Sequence, residues 1–259
     1  TIMAMLDELQ IDVKQFVTDD IRTYLTEYQA RKQSSKVTID NIRRILSSFF
    51  SWLEDEDYIL KSPVRRIHKV KTVSNIKETY SDEELELMRD NCSEIRDLAM
   101  IDMLASTGMR VGEMVLLNKA DINFNERECI VFGKGDKERS VYLNESCQKA
   151  IKEYIAVRDK NAKDRDALFI SERGTRIGKR TVEMMVKKYI VLAGLDPKKY
   201  SPHKLRHTAA TLMHKYGGVD IRSLQQILGH ESVSTTEIYT HVDNEQVKEA
   251  LEKNPLNNM

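Results

Sequence analysis

The apolar residues of this chain repeat with a helical period over its first third, and that period first changes near residue 120. Ile39, Ile42, Ile45, Leu46, Phe49, Phe50 and Leu53 form one long stripe at spacings of mostly three and four. A stripe of that period is buried as one face of an α-helix. It predicts a helix that starts near Val37 and Thr38 and stops before the acid cluster Glu54, Asp55, Glu56 and Asp57. The opposite face is polar and carries Lys36, Asn41, Arg43 and Arg44. A shorter stripe, Ile21, Tyr24, Leu25 and Tyr28, follows Thr18-Asp19-Asp20, which offers cap oxygens and first-turn acids. Ser62-Pro63-Val64-Arg65-Arg66 reads as one helical turn with proline at its first position. Residues 1–72 are therefore read as a small helical domain and residues 73–80 as a linker.

A second domain, residues 81–259, opens on a capping box, with Ser81 as the cap and Glu84 three residues on. Helices are expected over Glu94–Ser106 and Arg110–Leu117, and then the period changes. Glu128-Cys-Ile-Val-Phe and Glu138-Arg-Ser-Val-Tyr-Leu are β-like runs on either side of Gly133-Lys134-Gly135-Asp136-Lys137, which reads as a hairpin. Ala167-Leu-Phe-Ile-Ser171 is a third candidate strand. Helical patterns fill the rest, at about 144–158, 179–193, 202–216, 220–228, 234–240 and 243–252. The expected class is mainly α with a small β-sheet, an α+β fold.

Net charge is the next constraint. Lys and Arg total 41, as do Asp and Glu, so the chain is formally neutral. A nucleic-acid binder with that balance must segregate its charge. It does so: Lys61, Arg65, Arg66, Lys69, Lys71 and Lys77 form a run without an acid, flanked by Glu54–Asp57 and by Asp82, Glu83, Glu84 and Glu86. The plain alternative is a solvated linker. No run of about 18 apolar residues is present, which argues against a membrane span. The N-terminus shows no basic-then-apolar targeting pattern. Three cysteines without a C-x-x-C pair fit a reducing cytosol better than a disulfide framework.

Several local patterns could carry chemistry. Thr107-Gly108-Met109-Arg110-Val111-Gly112-Glu113 puts an arginine at a helix start, where an anion is favoured, with Glu113 placed to orient it. Taken alone, that pair is also an ordinary i,i+3 surface pair. Lys134 near a hairpin tip could reach into a groove or simply solubilise the turn. Ser201-Pro202-His203-Lys204-Leu205-Arg206-His207 places His203 and Arg206 one turn apart on one face. His203 and His207 also have the i,i+4 spacing of a zinc helix. Lys204, however, stands where such a helix has its glutamate, and Arg206 sets a fixed charge beside the metal. Leu228-Gly229-His230 looks like a helix C-cap followed by an exposed histidine. Tyr239 lies on a short helical pattern, Ser234–His241, and a lone tyrosine there is ordinarily half-buried core.

The order of these weak signals is informative. Gly-Met-Arg-Val-Gly-Glu, Gly-Lys-Gly-Asp-Lys-Glu-Arg, Ser-Pro-His-Lys-Leu-Arg-His-Thr, Leu-Gly-His-Glu-Ser and Tyr-Thr-His-Val follow one another over residues 107–242. The set resembles the motifs of the tyrosine recombinase family, most closely the Xer and phage-integrase type. The helical first third is similar to that family's core-binding domain, with its first helix shortened.

The resemblance implies roles for particular residues. Tyr239 is the nucleophile toward a scissile DNA phosphate, forming a 3′-phosphotyrosine. Arg110 and Arg206 hold the non-bridging oxygens, and Lys134 is the general acid for the 5′-oxygen. His203 is the proton acceptor, His230 a phosphate donor and Glu113 an orienting residue. No metal and no cofactor is implied, because the guanidinium groups meet the phosphate charge. Implied partners are double-stranded DNA with specific sites, a homo-tetramer on two duplexes, and accessory DNA-bending proteins. DNA contacts are expected from Arg43, Arg44, Lys61, Arg65, Arg66, Lys69 and Lys71. A narrow apolar stripe in the tail, Val247, Ala250 and Leu251, either packs back on its own domain or docks on a neighbouring protomer. An inactive DNA-binding module and a type IB topoisomerase-like cleavage are the remaining alternatives.

Overall fold

The structure, a computed structural model, describes residues 2–70, 79–133, 138–160 and 162–229. The chain divides into two compact units, Thr1–Asn75 and Ile76–Met259.

The first unit is helical: α1 (Ile2–Leu9), α2 (Thr18–Lys32) and α3 (Lys36–Asp55). The α3 stripe folds inward, and Ile39, Ile42, Leu46, Phe50 and Leu53 are buried with Met5, Phe16, Ile21, Tyr24 and Leu25. Each such aliphatic or aromatic side chain contributes on the order of 2 kcal/mol by leaving water. Ile45 departs from the expected stripe and stays 44% exposed. Ser35 caps α3 by accepting from Thr38 N at 3.2 Å, which moves the start to Lys36. Thr18 is the first helical residue of α2 and Val17 its N-cap, and Asp20 in the first turn accepts from Val17 N at 2.8 Å. Ser62–Arg66 is a hydrogen-bonded turn closed by Arg65 N to Ser62 O at 3.3 Å and does not continue into a helix.

The second unit begins with α4 (Asp82–Asp90), closed by the expected capping box: Glu84 accepts from Ser81 N and Ser81 accepts from Glu84 N. There follow α5 (Ile95–Thr107), α6 (Val111–Leu116), β1 (Ile122–Asn123), β2 (Glu128–Phe132), β3 (Glu138–Tyr142), α7 (Glu145–Val157), α8 (Lys179–Leu192), α9 (Pro202–Lys215) and α10 (Ile221–Leu228). The strands form an antiparallel sheet in the order β1-β2-β3, with Cys129 opposite Val141 and Val131 opposite Arg139. Cys129, Val131 and Val141 point into the core, where α5 packs on α7 and α9. Burial pushes the Cys129 and Cys147 thiols up to about 12, so both are neutral core residues at ordinary pH.

The expected strand at Ala167–Ser171 does not form. It makes only isolated bridges, Asn118 to Ala167 and Ile170 to Arg176. Its backbone is satisfied piecemeal: Leu168 N donates to Leu117 O, Ile170 N to the Tyr154 hydroxyl, and Ser171 N to Thr175 O. Ala167 to Ile170 are all buried, and such an apolar run has the same pattern whether or not a neighbouring strand is present. Among the described residues no helix is long and apolar enough to cross a membrane.

Candidate functional site

The site is built where α5 ends. Gly108 adopts φ +62° as the C-cap of α5, and a Cβ there would lie 3.1 Å from the Leu228 side chain. Glycine meets both demands, the left-handed backbone and the close approach. The chain then turns into α6 with Arg110 at its N-cap. Glu113 accepts from Arg110 N at 2.7 Å through one oxygen and from the Arg110 guanidinium at 2.8 Å through the other. One carboxylate thus holds both ends of the same arginine. At six residues α6 is short, so an anion here would be held mainly by the guanidinium rather than by a helix field.

Glu113 is 6% exposed and has a second cation, Arg139 on β3, which donates to its two oxygens at 2.9 and 2.6 Å. Burial by itself raises the Glu113 carboxyl. The hydrogen bonds from Arg139 and from Arg110, with the Arg139 charge, outweigh burial and hold the carboxyl below its ordinary value. It is therefore charged at neutral pH.

Pro202 opens α9 after Ser201, as the Ser-Pro pattern predicts, and sets His203 and Arg206 one turn apart. Arg206 is 3% exposed and donates to Gly108 O and to Leu228 O, both at 2.6 Å. The His203 ring meets the His207 ring edge-on at 4.4 Å. Among the described residues no group of three or more His, Cys, Asp or Glu side chains could hold a metal ion.

Arg110, Glu113, His203 and Arg206 line one cleft of about 900 Å³, with Gly133, the residue before Lys134, on its rim. The cleft thus gathers four of the residues singled out in the sequence, from α6 and α9. Lys134, His230, Tyr239 and Lys71 lie outside the described residues. Arg139 was not singled out, although it ends the Gly-Lys-Gly-Asp-Lys-Glu-Arg motif.

In the first unit the basic residues differ in kind. Arg43 is bound to Asp40 at 2.8 Å, and Asp40 also accepts from Val70 N at 3.1 Å, so this pair ties Arg43 to the backbone after α3. Arg44, Lys61, Arg65, Arg66 and Lys69 are exposed. Lys61, Arg65 and Arg66 line a smaller cleft of about 320 Å³ with Val17 and Thr18 at the start of α2. Arg65 reaches Glu54 at 3.5 Å, a surface pair that contributes little and can be exchanged for another anion.

The Phage integrase family matches residues 75–246, and the phage integrase N-terminal SAM-like domain matches residues 1–60. The chain is 44% identical to tyrosine recombinase XerC of Caldanaerobacter subterraneus subsp. tengcongensis over 93% of its own length and 66% of that protein's. It is 33% identical to tyrosine recombinase XerC of Corynebacterium glutamicum, over 96% of this chain and 82% of the relative. Among solved structures, XerH site-specific recombinase bound to palindromic difH substrate, a post-cleavage complex, aligns with a TM-score of 0.79 at 27% identity, covering 93% of this chain and 73% of that one.

Proposed function

The chain belongs to the phage integrase family of tyrosine recombinases, and we propose that it cuts and rejoins DNA at specific sites through a covalent phosphotyrosyl intermediate. The observation that carries this reading is the convergence of Arg110, Glu113, His203 and Arg206 on one cleft. Arg110 and Arg206 supply forked N–H donors for the non-bridging oxygens of the scissile phosphate. Negative charge grows on those oxygens as the fifth bond to phosphorus forms, and donors already in place stabilise it most. The Tyr239 hydroxyl attacks phosphorus and passes its proton to His203. The bond to the 5′-oxygen breaks, and Lys134 protonates that oxygen as it leaves. His230 donates a further hydrogen bond to the phosphate. The phosphotyrosine keeps the energy of the broken phosphodiester, so a 5′-hydroxyl can reverse the step without a nucleotide cofactor. The acting assembly is a homo-tetramer on two duplexes, with accessory DNA-bending proteins as further partners and the cytosol as the compartment. The deciding experiment uses a duplex selected from a random pool by affinity for this chain and nicked near its centre. A covalent protein–DNA adduct that resists denaturant and disappears with protease supports the reading. Binding without adduct on every selected duplex leaves only a DNA-binding module.

Adduct formation should persist in excess EDTA, because guanidinium and ammonium groups meet the phosphate charge. Loss with chelator and recovery with zinc would restore the metal reading of His203 and His207.

Affinity should fall steeply with salt, with a log–log slope of about −0.9 per phosphate neutralised. Replacing Arg65 and Arg66 by alanine should flatten the slope by up to about two units if each meets one phosphate. An unchanged slope would make the 61–77 run an ordinary solvated linker.

A further inference from the structure

Three consecutive carbonyls at the end of α10 are each met by a different arginine. Arg139 Nε donates to Ile227 O at 2.9 Å, Arg206 Nη2 to Leu228 O at 2.6 Å, and Arg110 Nη2 to Gly229 O at 3.0 Å. The arginines come from β3, from α9 and from the start of α6. These carbonyls belong to the end that an α-helix leaves without internal partners, and cations are favoured there. Arg139 does more than cap. Its two terminal nitrogens hold both oxygens of Glu113, the carboxylate that grips Arg110 by backbone and guanidinium. Its guanidinium also packs on Gly229, where a Cβ would lie 3.0 Å from Nη1.

We propose that Arg139 is a positioning residue for strand cleavage: it locks Arg110, through Glu113, and the end of α10 into one fixed relation. In the chain, α10 is followed directly by His230 and, nine residues later, by Tyr239. With 11% of its side chain exposed, Arg139 acts through Arg110 and α10 rather than on the DNA. A fork is required, because Glu113 takes two parallel N–H donors while a third goes to Ile227 O, and an ammonium group at one point cannot span them. The inference rests on the recombinase reading and adds a residue to it.

The test measures cleavage of two selected, nicked duplexes under single-turnover conditions. One carries the ordinary scissile phosphate, and the other a methylphosphonate there, which lacks the negative charge that Arg110 meets. Arg139→Gln and Arg139→Lys are expected to bind DNA as the parent does and to cleave the phosphodiester about 10²-fold more slowly, the scale set by a misplacement near 1 Å. On the methylphosphonate they should lose less than about tenfold relative to the parent, because a misplaced Arg110 matters less there. Thermal melts identify which variants are folded, and the lysine variant decides alone if the glutamine variant is not. Parental rates overturn the proposal, as does an equal loss on both substrates. Failure of both variants to fold makes Arg139 a folding residue and also overturns it. An unaltered chain that forms no adduct on either duplex counts instead against the recombinase reading, and the proposal goes with it.

Discussion

Tyr239→Phe should abolish strand cleavage and leave DNA affinity nearly unchanged. The substitution removes one oxygen and keeps the ring, so packing is conserved while the attacking atom is lost. Removing the serine nucleophile of a protease costs roughly 10⁶-fold, and a loss of that scale is expected here because no other group stands in its place. Affinity is expected to come instead from phosphates neutralised by lysines and arginines, Arg65 and Arg66 among them. A phenol titrates near pH 10, so its attack at neutral pH needs a nearby proton acceptor and cations that favour the phenolate. His203, Arg110 and Arg206 line one cleft and can meet those needs. Denaturing electrophoresis of the variant with the nicked duplex reads the result directly. An adduct of parental yield would move the nucleophile to another residue, and weakened binding would give Tyr239 a role in holding DNA.

How much of this could be read from the sequence depended on the range of each interaction. The α3 stripe, the Ser81–Glu84 box and the Ser201-Pro202 start of α9 are set by residues within four positions of one another, and the structure contains all three. Arg43 was also within reach, since Asp40 stands three residues before it, the spacing of a helical ion pair. That pair is not named among the expectations drawn from the sequence. Arg139 is different. Its partners, Glu113 and Ile227, lie 26 and 88 residues away, and no local period announces a contact of that range. The missing strand at Ala167–Ser171 failed for a related reason. Strand pairing is a property of the neighbour as well as of the run, and here the neighbours are loops and a tyrosine hydroxyl. The cleft itself was legible only through the order of motifs, each of which had an ordinary structural explanation.

Arg206→Ala should lose stability and chemistry together, and Arg206→Lys should separate them. The side chain is 3% exposed and joins the ends of two helices, through Gly108 O after α5 and Leu228 O in α10. Alanine leaves both carbonyls without these donors in a buried place and opens a cavity. Hydrogen bonds from a charged donor contribute about 1.5–3 kcal/mol each, so the expected destabilisation is roughly 3 kcal/mol after relaxation, read as a lower denaturant midpoint. Cleavage per folded molecule should fall further, by about 10²–10³-fold, the usual effect of removing one preorganised donor from a developing oxyanion. Lysine keeps the charge and fills much of the space, but it is a single point where the arginine is a fork. It can reach one carbonyl or the phosphate, and not both carbonyls with the phosphate. The lysine variant should therefore recover part of the lost midpoint while cleaving at less than about a tenth of the parental rate. Parental cleavage by the lysine variant would show that charge alone suffices at this position. A parental midpoint for the alanine variant would show that the two carbonyl contacts contribute nothing, and that the ends of α5 and α10 are held by apolar packing of Leu228 and Ala209 around Gly108 instead.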